Sequence, residues 1–411
     1  MRLFILLLLL SLYSISHGQT KVWDGGAGTV SFGDADNWNP DGIPASMDAV
    51  EIGYGDTVEV TSGTFEIQYI KVSSNALFTI QEGAQLNVLN SANTAFDASG
   101  STSKIINRGT LEITNSGQAG LLIYGSFRND RTGVLRIMDA GDYGIVTGTN
   151  DTLYNSGLID IMNPADHGIY NTGTVTNYAS GTIEISAGVQ YGFRNGPSDY
   201  FNNYGALKVT GTTNYGVENS GWVTNFTGGT ITISGGTEIG LNNRGRLTNQ
   251  QGATIQITST GDGFGDYGLN NDLDDTLRNF GVINIVNAAD DGIYNNGYIK
   301  NYGTGMITVI APGYDFIGYG INIRSGHTIA NLGSITISGS SDHGLLNAGI
   351  FTNHQNATMN ITDTSKSGIF NGTNNLIDND GDITIQGSME IGIINYGLIM
   401  NHSLGKVTVQ N

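Results

Sequence analysis

Apolar and polar residues alternate along this chain in short runs, and the runs return with a fixed period. Gly-aliphatic steps place glycines at 120, 144, 168, 192, 216, 240, 268, 292, 320, 344, 368 and 392. Successive steps are 24 residues, except for two of 28, from 240 to 268 and from 292 to 320. A second glycine column runs from 109 to 405, with Ala253 and Ala357 filling its two gaps. Two columns locked to one period define a repeat architecture.

Each period carries apolar residues at fixed offsets. One follows the first glycine directly, as at Ile169, Val217 and Ile293. A pair such as Ile183/Ile185 or Ile307/Val309 closes the unit and alternates with Thr, Glu or Lys. That is the period of a strand with one buried face. A middle aliphatic lies seven residues after the glycine at Val175 and Val223 but nine after it at Leu153 and Phe201. Adjacent coils therefore trade two residues between turns. An Asn follows two residues later in both registers, from Asn177 to Asn401.

No segment has helical periodicity. Three short strands per 24 residues predict an all-β chain folded as a right-handed parallel β-helix. Leucine-rich repeats of similar length need L-x-x-L-x-L, and left-handed β-helices need hexapeptide repeats. Neither pattern is present. The expected organisation is a signal peptide at 1–18, an N-terminal cap with irregular strands at 19–75, and the β-helix at 76–411. Its coils are regular from about residue 100 and its C-terminal end is uncapped.

The signal rests on Arg2, the apolar run Leu3 to Ser14, and small residues at Ser16 and Gly18. It implies a secreted, extracellular or cell-surface protein. Trp23 and Trp38 in the next segment read either as cover for the first open rung or as an exposed sugar-binding platform. Because Gly405 to Asn411 reads as the closing strand of a regular coil, an open β-edge is expected there, available to end-to-end association or to continuation in a longer protein.

Stacking converts each offset into a column. Asn171, Asn195, Asn219, Asn243, Asn271, Asn295, Asn347, Asn371 and Asn395 form one, broken at Ile323. Stacked amides hydrogen-bond to one another and to turn backbone, so this column reads as a structural ladder. Before the first glycine stand Tyr143, Tyr191, Tyr215, Tyr267 and Tyr319, with His167 and His343 among them. Rings one coil apart stack on each other or grip a polysaccharide, which makes this column the candidate binding stripe. One residue earlier an acidic column includes Asp142, Asp166, Glu238, Asp266, Asp290 and Asp342. Its consecutive members Glu238, Asp266 and Asp290 are weak candidates for Ca²⁺; otherwise no cofactor is expected.

For catalysis, β-helix glycosidases and lyases gather acids or an Arg/Lys base in one cleft. Asp290-Asp291 and the two Asp-His-Gly steps, at 166–168 and 342–344, resemble pectin-hydrolase elements. Each is a member of a repeat column, and the two Asp-His-Gly steps are seven coils, roughly 35 Å, apart. No catalytic residue is assigned. The two four-residue insertions, within Gly261 to Gly265 and Ala311 to Ile317, lengthen one turn and bring an Asp and a Phe each.

Composition changes this picture little. The formal net charge of −19 argues against a nucleic-acid partner. The absence of cysteine leaves stability to the stacked core. No membrane span is expected.

The repeat, with the opening Trp23-Asp24-Gly25-Gly26, Asn37-Trp38, Gly42-Ile43-Pro44 and Asp48-Ala49-Val50-Glu51-Ile52, resembles bacterial secreted and surface-exposed adhesin-like β-helix proteins. The resemblance implies a non-enzymatic structural or adhesion protein with an extracellular glycan or surface protein as partner. The alternative is a carbohydrate-active or polysaccharide-binding protein of the pectin lyase-like kind.

Overall fold

A computed structural model describes residues 18–186, 190–236, 238–261, 263, 265–273, 275–313 and 318–410. The expected signal peptide at 1–18 lies outside these residues except for Gly18. So do Asp262 and Phe264 of the first insertion and Asp315 and Phe316 of the second.

One coil shows how the sequence builds the whole. Strands His167–Asn171, Thr174–Asn177 and Thr182–Ser186 place alternate residues inside. Ile169, Val175, Ile183 and Ile185 are buried in the core, and Asn171 and Asn177 point inward at the corners with 0% exposure. Each strand pairs in parallel with its counterparts one coil away: Ile183 stands opposite Ile159 on one side and Leu207 on the other.

The result is a parallel β-solenoid. Among the described residues, the third strands form a 15-stranded sheet, from Thr64–Ile67 to Lys406–Gln410. The first and second strands join around a bend into a 30-stranded sheet. At ~4.8 Å per rung, the stack spans roughly 70 Å.

The two-residue trade between coils is absorbed in the turn joining the first and second strands. That turn is Gly148–Asp151 in one coil and Thr172–Gly173 in the next. Leu153, Val175, Phe201 and Val223 therefore stay opposite one another despite their unequal spacing.

The glycine columns are explained by close approach. A Cβ on Gly216 would lie 2.3 Å from Ile233 Cγ2 and 2.7 Å from the Gly240 carbonyl oxygen. On Gly205 it would lie 2.2 Å from the Gly181 carbonyl oxygen and 2.9 Å from Asn177 Nδ2. Neither glycine has a positive φ, so the missing side chain matters here and left-handed backbone does not.

At the N-terminal end, parallel stacking among the described residues begins where Thr20–Trp23 pairs with Ala49–Ile52, which pairs in turn with Tyr69–Val72. Trp38 is fully buried, its indole N–H donating to the Phe32 carbonyl at 2.9 Å. Trp23 packs edge-on against it at 5.1 Å. Both indoles belong to the core, which rules out an exposed tryptophan platform at this end. Among the described residues no helix is long and apolar enough to cross a membrane.

Candidate functional site

The inward corners carry two asparagine ladders. In the first, each side-chain amide donates to the next Oδ1 from Asn171 through Asn195, Asn219, Asn243 and Asn271 to Asn295, at 2.7–3.0 Å. Ile323 interrupts it, and the chain of bonds resumes from Asn347 to Asn371 and Asn395. The second ladder is longer and unbroken, running from Asn107 to Asn401 through every second-strand corner. Bonded to each other and buried except at the last rungs, Asn395 and Asn401, these amides hold the stack together. At the first rung of this second ladder Ile80 stands opposite Asn107, and Asn107 Oδ1 is buried without a donor among the described residues.

The tyrosine column divides. Tyr143, His167, Tyr191 and Tyr215 occupy consecutive coils, with ring centroids 5.2, 4.6 and 5.2 Å apart. Ile239 follows Tyr215 in the column, and Asp291 precedes the glycine between Tyr267 and Tyr319. Tyr267 stacks instead on Tyr294 at 4.5 Å, and Tyr319 on His343 at 5.8 Å. The five tyrosines are half-buried and form three separate groups. Burial raises the pKa of all five phenols, so each remains a neutral hydroxyl. Beside the first group, the Arg194 guanidinium lies 5.2 Å from both the Tyr170 and Tyr191 ring centroids. Its Nε is 2.9 Å from the buried Glu218 carboxylate.

The calcium candidates have different surroundings. Glu238 is exposed. Asp266 accepts a hydrogen bond from the Gly263 N–H at 2.7 Å, and Asp290 accepts one from Gly265 at 2.8 Å. Among the described residues, no three acidic, histidine or cysteine side chains are grouped as a metal site.

Asp290 and Asp291 form a coupled carboxyl pair beneath the lengthened turns. Asp291 is 2% exposed, accepting from the Tyr319 N–H at 2.9 Å and from Asn322 Nδ2 at 2.8 Å. Desolvation, followed by the charge of Asp290, pushes the Asp291 carboxyl up to about 8. Desolvation also raises Asp290. Two carboxyls so placed share a proton at neutral pH. The pair resembles a catalytic dyad in sequence; in the structure it anchors the turns at Gly265 and Tyr319.

The two Asp-His-Gly steps also have packing roles. His167 is 3% exposed among tyrosine rings, 2.9 Å from Asp166 but without hydrogen-bond geometry to it. Burial holds its pKa below the usual histidine value. His343 receives the Ser367 hydroxyl on Nδ1 at 2.6 Å, and its Nε2 lies 3.3 Å from Asp342. This Ser-His-Asp order has the outline of a nucleophilic triad. Ser367 is 0% exposed, however, so no substrate reaches its oxygen.

Sequence reasoning missed a corner between the first and second strands. Tyr200 and Trp222 occupy the same outward position one coil apart and stack at 4.8 Å with planes 12° apart. A cavity of about 360 Å³ flanks Trp222, lined by Ser198, Ser220, Arg244, Arg246, Asp275 and Thr276 among others. A second, of about 450 Å³, flanks Tyr200 and includes Asn150, Thr172, Thr174 and Asp199. Burial raises the Asp199 carboxyl to about 6. The signal was available: each residue directly precedes a middle aliphatic, Phe201 or Val223, so both must point outward.

No protein-family model and no curated protein matches the chain. Among solved structures it is similar to a TibC-catalyzed hyper-glycosylated TibA55-350 fragment, at 12% identity over 88% of this chain and 99% of that one. The TM-score of that match is 0.27, and the likeness carries no argument about function.

Proposed function

We propose that the chain is a non-enzymatic extracellular structural or adhesion protein, a rigid solenoid presenting a repetitive surface to a glycan or a surface protein. The observation that carries this reading is the fate of the chemistry-bearing residues. The ladder asparagines bond to one another and are buried except at the last rungs, and Ser367, His167 and Asp291 lie in the packed body. What reaches solvent stands in columns set by the coil period, including the aromatic rows and the corner at Tyr200 and Trp222. A stack with register kept from coil to coil suits repeated contacts along a partner. The leader-like sequence before residue 18 supports an extracellular setting.

The test exposes the protein to a polysaccharide panel and measures retention and product release together. Retention without oligosaccharide release is expected. Release of oligosaccharides at a rate above that of boiled protein would sink the reading and turn attention to hydrolase or lyase chemistry.

A further inference from the structure

We infer that the corner groove at Tyr200 and Trp222 is a glycan-binding site, in which pyranose rings pack on these two side chains while the groove's hydroxyls and Arg246 hold the sugar's polar groups.

The aromatic pair is placed for this. Tyr200 is 47% exposed. Its row runs Thr174, Tyr200, Trp222, Arg246 in consecutive coils. A small threonine therefore neighbours the Tyr200 side of the stack, and a flexible arginine neighbours the Trp222 side. The two cavities lie on these two sides, meeting at the Pro197–Ser198 turn that lines both. Each cavity joins one aromatic side chain to a polar wall. Ser198, Ser220 and Thr276 supply hydroxyls in one, and Thr149, Asn150, Thr172 and Thr174 supply hydroxyl and amide groups in the other.

The ligand class follows from that lining. A purely apolar ligand would strand the hydroxyls, and a simple ion would not use the aromatic surfaces. A pyranose has an apolar C–H face and a rim of hydroxyls, which matches both parts. The arginines contribute differently. Arg244 is tied to Asp272 at 3.1 Å and to Glu218 at 3.5 Å. Arg246 is exposed and forms no ion pair among the described residues. It is the group available for a sugar carboxylate.

This inference deepens the adhesion reading and rests on it. Its test uses the protein's own fluorophores. The chain has three tryptophans, of which Trp38 is 0% and Trp23 7% exposed. Acrylamide quenching therefore reports mainly on Trp222. Cellotetraose, chitotetraose and tetragalacturonate are added at up to about 10 mM, within the range where weak single-site binding saturates. At least one is expected to protect Trp222. Tyr200→Ala should weaken that ligand by about tenfold through loss of its stacking surface. Arg246→Gln, on an exposed side chain, should weaken tetragalacturonate more than the neutral sugars, and it serves as the second variant if Tyr200→Ala lowers the melting midpoint.

Absence of protection by every oligosaccharide overturns the proposal. So does an unchanged affinity for every ligand in Arg246→Gln together with either an unchanged affinity or a lowered melt in Tyr200→Ala. Retention on the polysaccharide panel with Trp222 left unprotected rejects this site but leaves the adhesion reading standing; oligosaccharide release rejects the adhesion reading itself.

Discussion

Replacing Asn203 with alanine is expected to lower the free energy of unfolding by about 3–5 kcal/mol. Asn203 is 0% exposed and sits within the unbroken ladder. Its Nδ2 donates to Asn225 Oδ1 at 2.8 Å and to the Thr230 carbonyl at 3.0 Å, and its Oδ1 accepts from Asn177 at 2.9 Å. Alanine removes all three bonds and replaces none of them. The donor on Asn177 and the acceptor on Asn225 lose a buried bond, each at a cost on the order of 1–3 kcal/mol, and the part-buried Thr230 carbonyl loses one as well. The control is Asn202, the preceding residue, which faces outward from the same strand. Asn202→Ala should change stability by no more than about 0.5 kcal/mol. Urea unfolding of the two variants beside the parent reads both numbers. Equal small losses would mean that the ladder contributes little.

Asp291→Asn is expected to stabilise the protein, and only above acidic pH. The Asp291 carboxyl is raised from 3.8 to about 8 by burial and by Asp290. Because the folded state binds this proton more tightly than the unfolded chain, the parent loses stability as pH rises from about 4 to about 8. Below that window both states are protonated and the variant gains nothing from this source. Above it the difference is constant. About four pKa units at 1.36 kcal/mol each set a ceiling near 5–6 kcal/mol. Water recruited by the ionised pair recovers part of this, so about 2–4 kcal/mol is expected at pH 8 and above.

The amide also suits its partners. Its oxygen can keep the Tyr319 N–H bond, and its new N–H₂ can reach Asn322, whose Oδ1 is buried without a donor. Rotation of the Asn322 amide completes the exchange. Unfolding measured from pH 4 to pH 9 checks the result; a stability difference independent of pH would show that Asp291 does not carry the proton.

Much of this was legible in the sequence because the period is so regular. Counting glycines located the strands, the inward aliphatics and both asparagine corners. What counting could not supply was the reason for each column. Gly205 and Gly216 served in the sequence as markers of the period, and the structure shows that carbonyl oxygens and an isoleucine methyl of neighbouring strands require them. The partly aromatic column was legible by offset, but offset does not give the ring directions that pair Tyr267 with Tyr294. Asp290 was assigned to an acidic turn column, which hid its coupling to Asp291. That coupling comes from the burial of Asp291 and its closeness to the Asp290 charge, which offset does not reveal. Tyr200 and Trp222 were passed over because the unequal turn lengths place them 22 residues apart in sequence, off the main period.

Every column depends on the register of adjacent coils, and the chain's lack of cysteine allows that register to be measured cleanly. Thr232 and Gln256 stand directly opposite on neighbouring third strands, whereas Thr258 stands opposite Ser234. At a rung spacing of ~4.8 Å, Thr232→Cys with Gln256→Cys falls within disulfide reach. Thr232→Cys with Thr258→Cys is offset by two residues and is separated by roughly 8 Å. Mild oxidation should close the first pair rapidly and within one chain, and leave the second largely reduced. Preferential closure of the second pair, or no closure of either, would contradict the stacked register on which the whole account rests.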